Sequence, residues 1–402
     1  MSRSLTVSKN YLLLITVFLI ILMPPYLGDN NIIRLLENLA IFVAILYVIK
    51  NKYRPSYFAL CVAAYFLIFL TLTIISQGRF SVHLIISNLK VVVVVALVEC
   101  SWRQDSKRII GLIGFVLALY CLMDFMTIIM YPEGLYTQVT VWNEWSSSET
   151  AYWLLGNKNN RLCWYLGYIL FTAYRYIKDG SIINRWKLYF SFAVSIIAMF
   201  LINSNTSQVA VILLFFGLEY GLRSRRVKIN IKTKMIIIAY VMLNLVLIGG
   251  DTAGLTPILQ KLFNKSASFN GRTTIWGSIV LMIMQKPLFG WGNISTSNMA
   301  NILNHQSFVN SHNQWLDILV QTGIVGFIVF ISFFWVIIRK IDLIKNRNYR
   351  LIMQTILVAL LVELLFEVVF TTNFVSWIVA LALYLFSNDL IADEKNILNE
   401  NE

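Results

Sequence analysis

Charge is scarce in this chain: Asp, Glu, Lys and Arg make up 13% of its 402 residues, against 58% hydrophobic. A soluble domain carries roughly 25% charged residues, so an ordinary water-soluble fold is excluded. Cysteine is also sparse. Cys61, Cys100, Cys121 and Cys163 lie in or at the ends of apolar runs, with no C-x-x-C pair and no spacing suited to zinc, and they read as small packing residues. There is no G-x-x-x-x-G-K-[ST] phosphate loop, no H-E-x-x-H, no G-x-S-x-G and no D-x-D in a polar connection. A metal-dependent enzyme and a nucleotide-driven pump are thereby disfavoured, and neither metal nor cofactor is expected.

Apolar runs of bilayer-spanning length fill the remainder. Lipid offers the backbone no hydrogen bonds, so runs of this length must be helices. The expectation is an all-α, polytopic membrane helix bundle, a single integral membrane domain over 1–402. Its twelve spans lie near 11–27, 32–49, 57–76, 82–99, 109–131, 160–176, 187–202, 207–221, 234–250, 315–338, 350–370 and 373–390. Arg3 and Lys9 before the first run resemble a signal peptide, but "MPPYLGDNN" follows with no small-x-small site, so that run reads as an uncleaved span.

The formal charge of +13 comes from basic residues in short connections, among them "RSRRVKINIKTK" (223–234) and "RKIDLIKNRNYR" (339–350). Positive-inside placement accounts for them, and no nucleic-acid partner is expected. With both termini cytoplasmic, 24 of the 33 Lys and Arg residues face the cytoplasm and about 7 face outward.

On this topology two outer loops are long, 132–159 and 251–314, and long connections in compact folds are usually functional or disordered. Both are rich in aromatics, Trp142, Trp145 and Trp153 in one and Trp276 and Trp291 in the other. These residues either form an interfacial belt or bind sugar faces. Within the second loop, residues 272–286 are too short to span, and they read as a helix lying in the outer interface, or dipping in and returning.

"NSHNQWLDILVQTGIVGFIVF" (310–330) puts polar residues before an apolar run. Ser311 and Gln314 form a capping-box pattern, with Ser311 as N-cap and His312 in the first helical turn. N–H groups there attract anions, which suits a general base working beside a phosphorylated leaving group. A polar residue finishing a helix is the alternative. Asp317, one turn inside the apolar run, is a functional candidate because ionisable groups at that depth are costly. Gly323 and Gly326 read as points of close helix approach. Arg272 has a planar fork able to grip a diphosphate bidentately. In "GNKNNR" (156–161), Asn157, Lys158, Asn160 and Arg161 could bind sugar hydroxyls and phosphate oxygens, or form a plain polar turn. Glu363, Glu367, Asp124 and other intramembrane charges read as pairs within the bundle, with a transport path as the alternative.

Three segments in this order resemble the bacterial O-antigen ligase and Wzy-type polysaccharide polymerase superfamily. They are "GNKNNRL", "GRTTIWGSIVLMIMQKPLFGWG" (271–292) and "HNQWLDILVQTGIVGFIVF" (312–330), and the last two are the specific ones. The resemblance implies a metal-independent glycosyltransferase at the outer face of the bacterial cytoplasmic membrane. It would use an undecaprenyl-diphosphate-linked glycan as donor and a second glycan as acceptor, with a chain-length regulator and a flippase as partners beside the membrane lipids. The family arginine on the diphosphate would be Arg272, and the histidine activating the acceptor hydroxyl would be His312. Asn313, Asn157, Lys158, Asn160, Arg161, Gln208, Asp317 and Trp276 would bind substrate. Where members often carry an S-R pair this chain reads Thr206-Ser207-Gln208, so the second phosphate-binding arginine would be absent or replaced by Arg161 or Lys158. The resemblance leaves a polymerase, a ligase acting on a lipid A core or other acceptor, and, from another class, a lipid-linked oligosaccharide flippase as readings.

Overall fold

The computed structural model describes residues 9–78, 81–143, 146–159, 161–224, 227–228, 230–249, 272–294, 299, 302 and 311–399. Their α-helices are, in order, α1 (Lys9–Ile21), α2 (Asn31–Lys50), α3 (Tyr57–Gln77), α4 (Val82–Met130), α5 (Leu162–Asp179) and α6 (Ile182–Leu201), then α7 (Asn205–Arg223), α8 (Thr233–Ile248), α9 (Arg272–Gln285), α10 (Gln314–Leu343), α11 (Arg347–Phe366) and α12 (Val375–Asn399). Six of these, α2, α3, α4, α10, α11 and α12, are long and apolar enough to cross a membrane. The chain is a multi-pass helical membrane protein.

Polar residues at the ends of the apolar runs delimit the helices. Asn30, Ser56, Ser81 and Ser181 cap α2, α3, α4 and α6 by accepting a backbone N–H with the side chain. Gly78 and Gly180, both at φ 61°, turn the chain out of α3 and α5 in the left-handed conformation. In α4 the expected spans 82–99 and 109–131 meet in one helix, broken only at Asp105 (φ −157°), whose carboxylate accepts the Arg108 N–H and so starts the second half. Gly217 and Gly221 of α7 face Thr355 and Ile352 of α11, where a Cβ on either glycine would collide. This is the small-x-x-x-small contact that lets membrane helices approach.

The all-α expectation needs one correction. Residues 132–159 fold into a three-stranded antiparallel sheet, β1 (Tyr136–Asn143), β2 (Ser146–Trp153) and β3 (Gly156–Asn157), in the order β1-β2-β3. Tyr136 pairs with Tyr152, and a bulge falls between Val141 and Asn143. The sheet is moored to the bundle at its end: the Trp153 indole N–H donates to the Tyr131 carbonyl (2.7 Å), and Trp153, Leu154 and Leu155 are buried.

Helix α10 is interrupted at Gly323 (φ 59°, ψ −165°), a conformation open essentially only to glycine. The segment after α9 supplies the hydrogen bonds lost at the break. The N–H groups of Trp291 and Gly292 donate to the carbonyls of Val320 and Gln321 (2.8 Å each), and those of Ile324 and Val325 donate to Pro287 (2.9 Å) and Leu288 (3.2 Å). Gly323 therefore does more than admit a neighbouring helix. It opens the α10 ladder to a second backbone. Beneath this break an aromatic cluster of Phe330, Phe333, Phe370, Trp377 and Tyr65 fills the centre of the bundle.

Candidate active site

Arg272 is the first residue of α9, and Trp276 follows one turn later on the same face. Trp276, Ile279 and Met282 are buried, while Leu281 and Met284 are exposed, so α9 turns one face to the protein and one away from it. From that start the Arg272 guanidinium donates through Nη2 to Glu367 Oε1 at 2.7 Å. Glu367 ends α11 in extended conformation (φ −138°). Its other carboxylate oxygen lies 3.8 Å from His312 Nδ1, within ion-pair reach and longer than a hydrogen bond. One carboxylate thus gathers the arginine and the histidine of two distant segments.

The stretch around His312 is held at every neighbouring position. The Trp276 indole N–H donates to the Ser311 carbonyl (3.0 Å). Ser311 Oγ donates to the Asn313 carbonyl (3.1 Å) and to Asp317 Oδ1 (3.2 Å). Asn313 Oδ1 accepts the N–H groups of Trp315 and Leu316 (3.1 Å each), and its amide donates to Asn244 Oδ1 (3.0 Å) and the Leu365 carbonyl (3.1 Å). Gln314 Oε1 accepts the N–H groups of Val369 and Phe370, both at 2.8 Å, where α11 has ended and its chain needs partners. The N-cap of α10 is therefore Asn313, not Ser311 as the capping-box pattern suggested, because the asparagine amide reaches α8 and α11 as well as the helix start. His312 sits outside the first turn, in the left-handed region at φ 45°. That conformation is uncommon for a side-chain-bearing residue, and such strain clusters at functional positions.

The other expected site residues separate. Asp317 is buried and accepts from Ser311 Oγ, from Gln321 Nε2 (2.7 Å) and from Thr371 Oγ1 (3.2 Å). Trp276 and Asn313 are buried and engaged in the framework just described. Arg161 is wholly buried at the start of α5, where Nη1 lies 3.2 Å from Asp124 Oδ2, Nη2 donates to the Gly156 carbonyl (2.7 Å), and Trp153 covers the guanidinium. It locks the sheet to the bundle and is not presented to a substrate, because the buried Asp124 needs a counter-charge. Asn157 is partly buried beside it and accepts the Asn159 N–H; Lys158 is exposed; Asn160 lies outside the described residues. Gln208 donates to the Met199 carbonyl (3.1 Å) and closes the α6–α7 turn. Sequence reading did not include Glu367 among the candidate site residues. Its signal was a carboxylate at the end of an apolar run, four residues after Glu363.

Chemically, the cluster offers a guanidinium with further N–H groups beyond the one given to Glu367, and an imidazole whose Nδ1 side faces a carboxylate. A carboxylate on one ring nitrogen orients the imidazole and stabilises it when the other nitrogen takes a proton. Residues 190–331 match the family model Wzy_C, described as O-antigen ligase. That span contains Arg272, Trp276, His312, Asn313 and Asp317, while Glu367 lies beyond it. The match is consistent with the O-antigen ligase and Wzy superfamily, whose members are glycosyltransferase-like enzymes acting on lipid-linked glycans. It supports a surface-polysaccharide ligase or polymerase type of role. A comparison with curated proteins finds no match.

Proposed function

We propose, from the O-antigen ligase match over residues 190–331 and the carboxylate shared by Arg272 and His312, that this chain polymerises undecaprenyl-diphosphate-linked repeat units at the outer face of the bacterial cytoplasmic membrane. The observation that carries the reading is the meeting of the two specific motif residues, forty positions apart in sequence, on Glu367. In the reaction a hydroxyl oxygen of the acceptor sugar attacks the anomeric carbon of the donor, and the bond from that carbon to the diphosphate oxygen breaks with its electron pair. Arg272 stabilises the charge left on the diphosphate, which preorganised donors do most effectively in a water-poor site. His312 takes the hydroxyl proton through Nε2 while Glu367 holds the Nδ1 side. Trp276, Asn313 and Gln314 position these groups. Arg161 belongs to the framework.

A ligase differs only in its acceptor, and the description of the matching family favours it as the second reading. Purified protein supplied with lipid-linked repeat units from a strain lacking this gene, with EDTA present, separates the two. A polymerase makes a ladder of chain lengths from these units alone; a ligase makes none until a terminal acceptor is added. His312→Ala should cost about 10²–10⁴ in rate at normal abundance. Wild-type yields of polymer from that variant would remove His312 from the chemistry.

A further inference from the structure

The corner where α5 ends, α6 begins and α7 ends gathers cations and aromatics that the proposed transfer does not use. A cavity of about 200 Å³ opens there, lined by Tyr176, Arg185, Leu188, Tyr189, Leu222 and Arg223. Arg185 lies in the first turn of α6, Arg223 is the last residue of α7, and both are exposed. The two guanidiniums converge on one phenol: Arg223 Nη2 donates to Tyr189 Oη at 3.2 Å, and Arg185 Cζ lies 5.7 Å from the centre of the Tyr189 ring. A single carboxylate answers these two cations. Glu219, one turn earlier on α7, pairs with Arg223, whereas Arg185 has no ion-pair partner among the described residues. Asp179, the other carboxylate at this corner, accepts from the Ser181 N–H and the Asn184 amide and does not line the cavity. The cavity therefore keeps an uncompensated positive charge.

The side chains around it set its depth. Ile182, Ile183, Trp186 and Phe190, on the first turns of α6, are each more than half exposed, and Trp186 meets Tyr189 edge to face with ring centres 6.4 Å apart. Exposed apolar residues joined by tryptophan and tyrosine at a helix end mark the level of the lipid headgroups. We propose that this cavity binds the phosphodiester headgroup of an anionic membrane phospholipid, with Arg185 and Arg223 on the phosphate oxygens and the acyl chains along the exposed face of α6. Planar guanidinium forks match phosphate oxygens. A zwitterionic headgroup would bring its own cation to a site already in excess of positive charge, and a dissolved phosphate would gain nothing from the apolar face beside it. On the twelve-span reading this corner is cytoplasmic, where anionic headgroups attract Lys and Arg, and it lies on the opposite face from Arg272 and His312. The lipid is thus a bound partner separate from the glycan donor, and its binding does not depend on the glycosyl-transfer reading.

The full chain, purified in a mild detergent, is titrated with phosphatidylglycerol or with phosphatidylcholine of the same acyl chains. Native mass spectrometry counts the bound lipid, and thermal melting is recorded beside it. The wild-type protein should hold phosphatidylglycerol about tenfold more tightly than phosphatidylcholine. Arg185→Gln and Arg223→Gln should each remove most of that preference. Lys187→Gln, which takes an exposed cation from α6 outside the cavity, should keep it. Arg185→Gln breaks no ion pair among the described residues, so without added lipid it should melt as the wild type does. Equal loss in all three variants would reduce the effect to diffuse attraction toward a basic helix end and overturn the site, as would a preference that survives both Arg185→Gln and Arg223→Gln. Glycerophosphoglycerol, the same headgroup without acyl chains, should fail to displace the lipid at equal concentration. Displacement by it would overturn the lipid as occupant in favour of a dissolved phosphodiester.

Discussion

In the proposed mechanism Glu367 stands between a cation that should be free to grip a diphosphate and an imidazole that needs a carboxylate behind it. Its two oxygens serve these two neighbours separately, at 2.7 Å from Arg272 Nη2 and 3.8 Å from His312 Nδ1. Glu367→Gln keeps the shape and removes the charge. It should lower kcat by between about tenfold and the roughly 10⁴-fold seen when the carboxylate of a triad is neutralised. KM for the lipid-linked donor should stay level or fall, because Arg272 loses the anion that competes with the diphosphate. Steady-state kinetics with the donor varied would show the split, and an unchanged kcat would reduce Glu367 to a counter-charge for Arg272. The same residue marks how far a sequence carries such a site. Arg272 and His312 stand out as candidates because scarce polar residues sit in the quoted motifs, whereas Glu367 looks like any carboxylate at the end of a span until α11 is seen to end beside α9. Arg161 misled for the mirror reason. Its sequence neighbours are amides and a lysine of a polar turn, yet its real partner, Asp124, is 37 positions away inside α4.

At the scale of elements, the helices were legible from apolar runs bounded by Asn, Ser, Gly and basic residues. Even the break in α4 was signalled by the cluster from Arg103 to Arg108. The sheet at 136–157 was not read, although "YTQVTVW" is rich in the β-branched and aromatic residues that favour strands. Its aromatics drew the reading toward a membrane interface. The break in α10 was illegible in principle, since the groups that satisfy its backbone come from Pro287–Gly292, some thirty residues earlier. Gly323→Ala tests that exchange. A Cβ there would strike the backbone of Leu288 and Phe289, and the φ/ψ pair is closed to alanine. The substitution should cost about 1–3 kcal/mol from backbone strain alone, lower the melting temperature in detergent and depress turnover. Gly277→Ala is the control, because nothing lies within 4 Å of its Cβ position and helix propensity favours the change. Equal melting of the two variants would show that the interruption carries no strain.

At the scale of the whole molecule, the distribution of Lys and Arg makes a prediction about orientation. On the twelve-span reading with both termini cytoplasmic, single cysteines placed in 132–159 and 251–314 should react with an impermeant thiol reagent on intact cells, and those in 223–234 and 339–350 should react only after permeabilisation. Labelling of 223–234 from outside would reverse the orientation and put Arg272 and His312 on the wrong side of the membrane for the proposed donor. The backbone exchange at Gly323 has an evolutionary consequence of its own. Asn293 is held by the Thr73 hydroxyl and the Gln77 amide of α3, and Ser311 is held under Trp276, so the chain is pinned on both sides of residues 294–310. Doubling the length of a loop between fixed ends costs only about 0.6 kcal/mol. Descendant chains can therefore change length between these two anchors at little cost while the candidate groups stay in register.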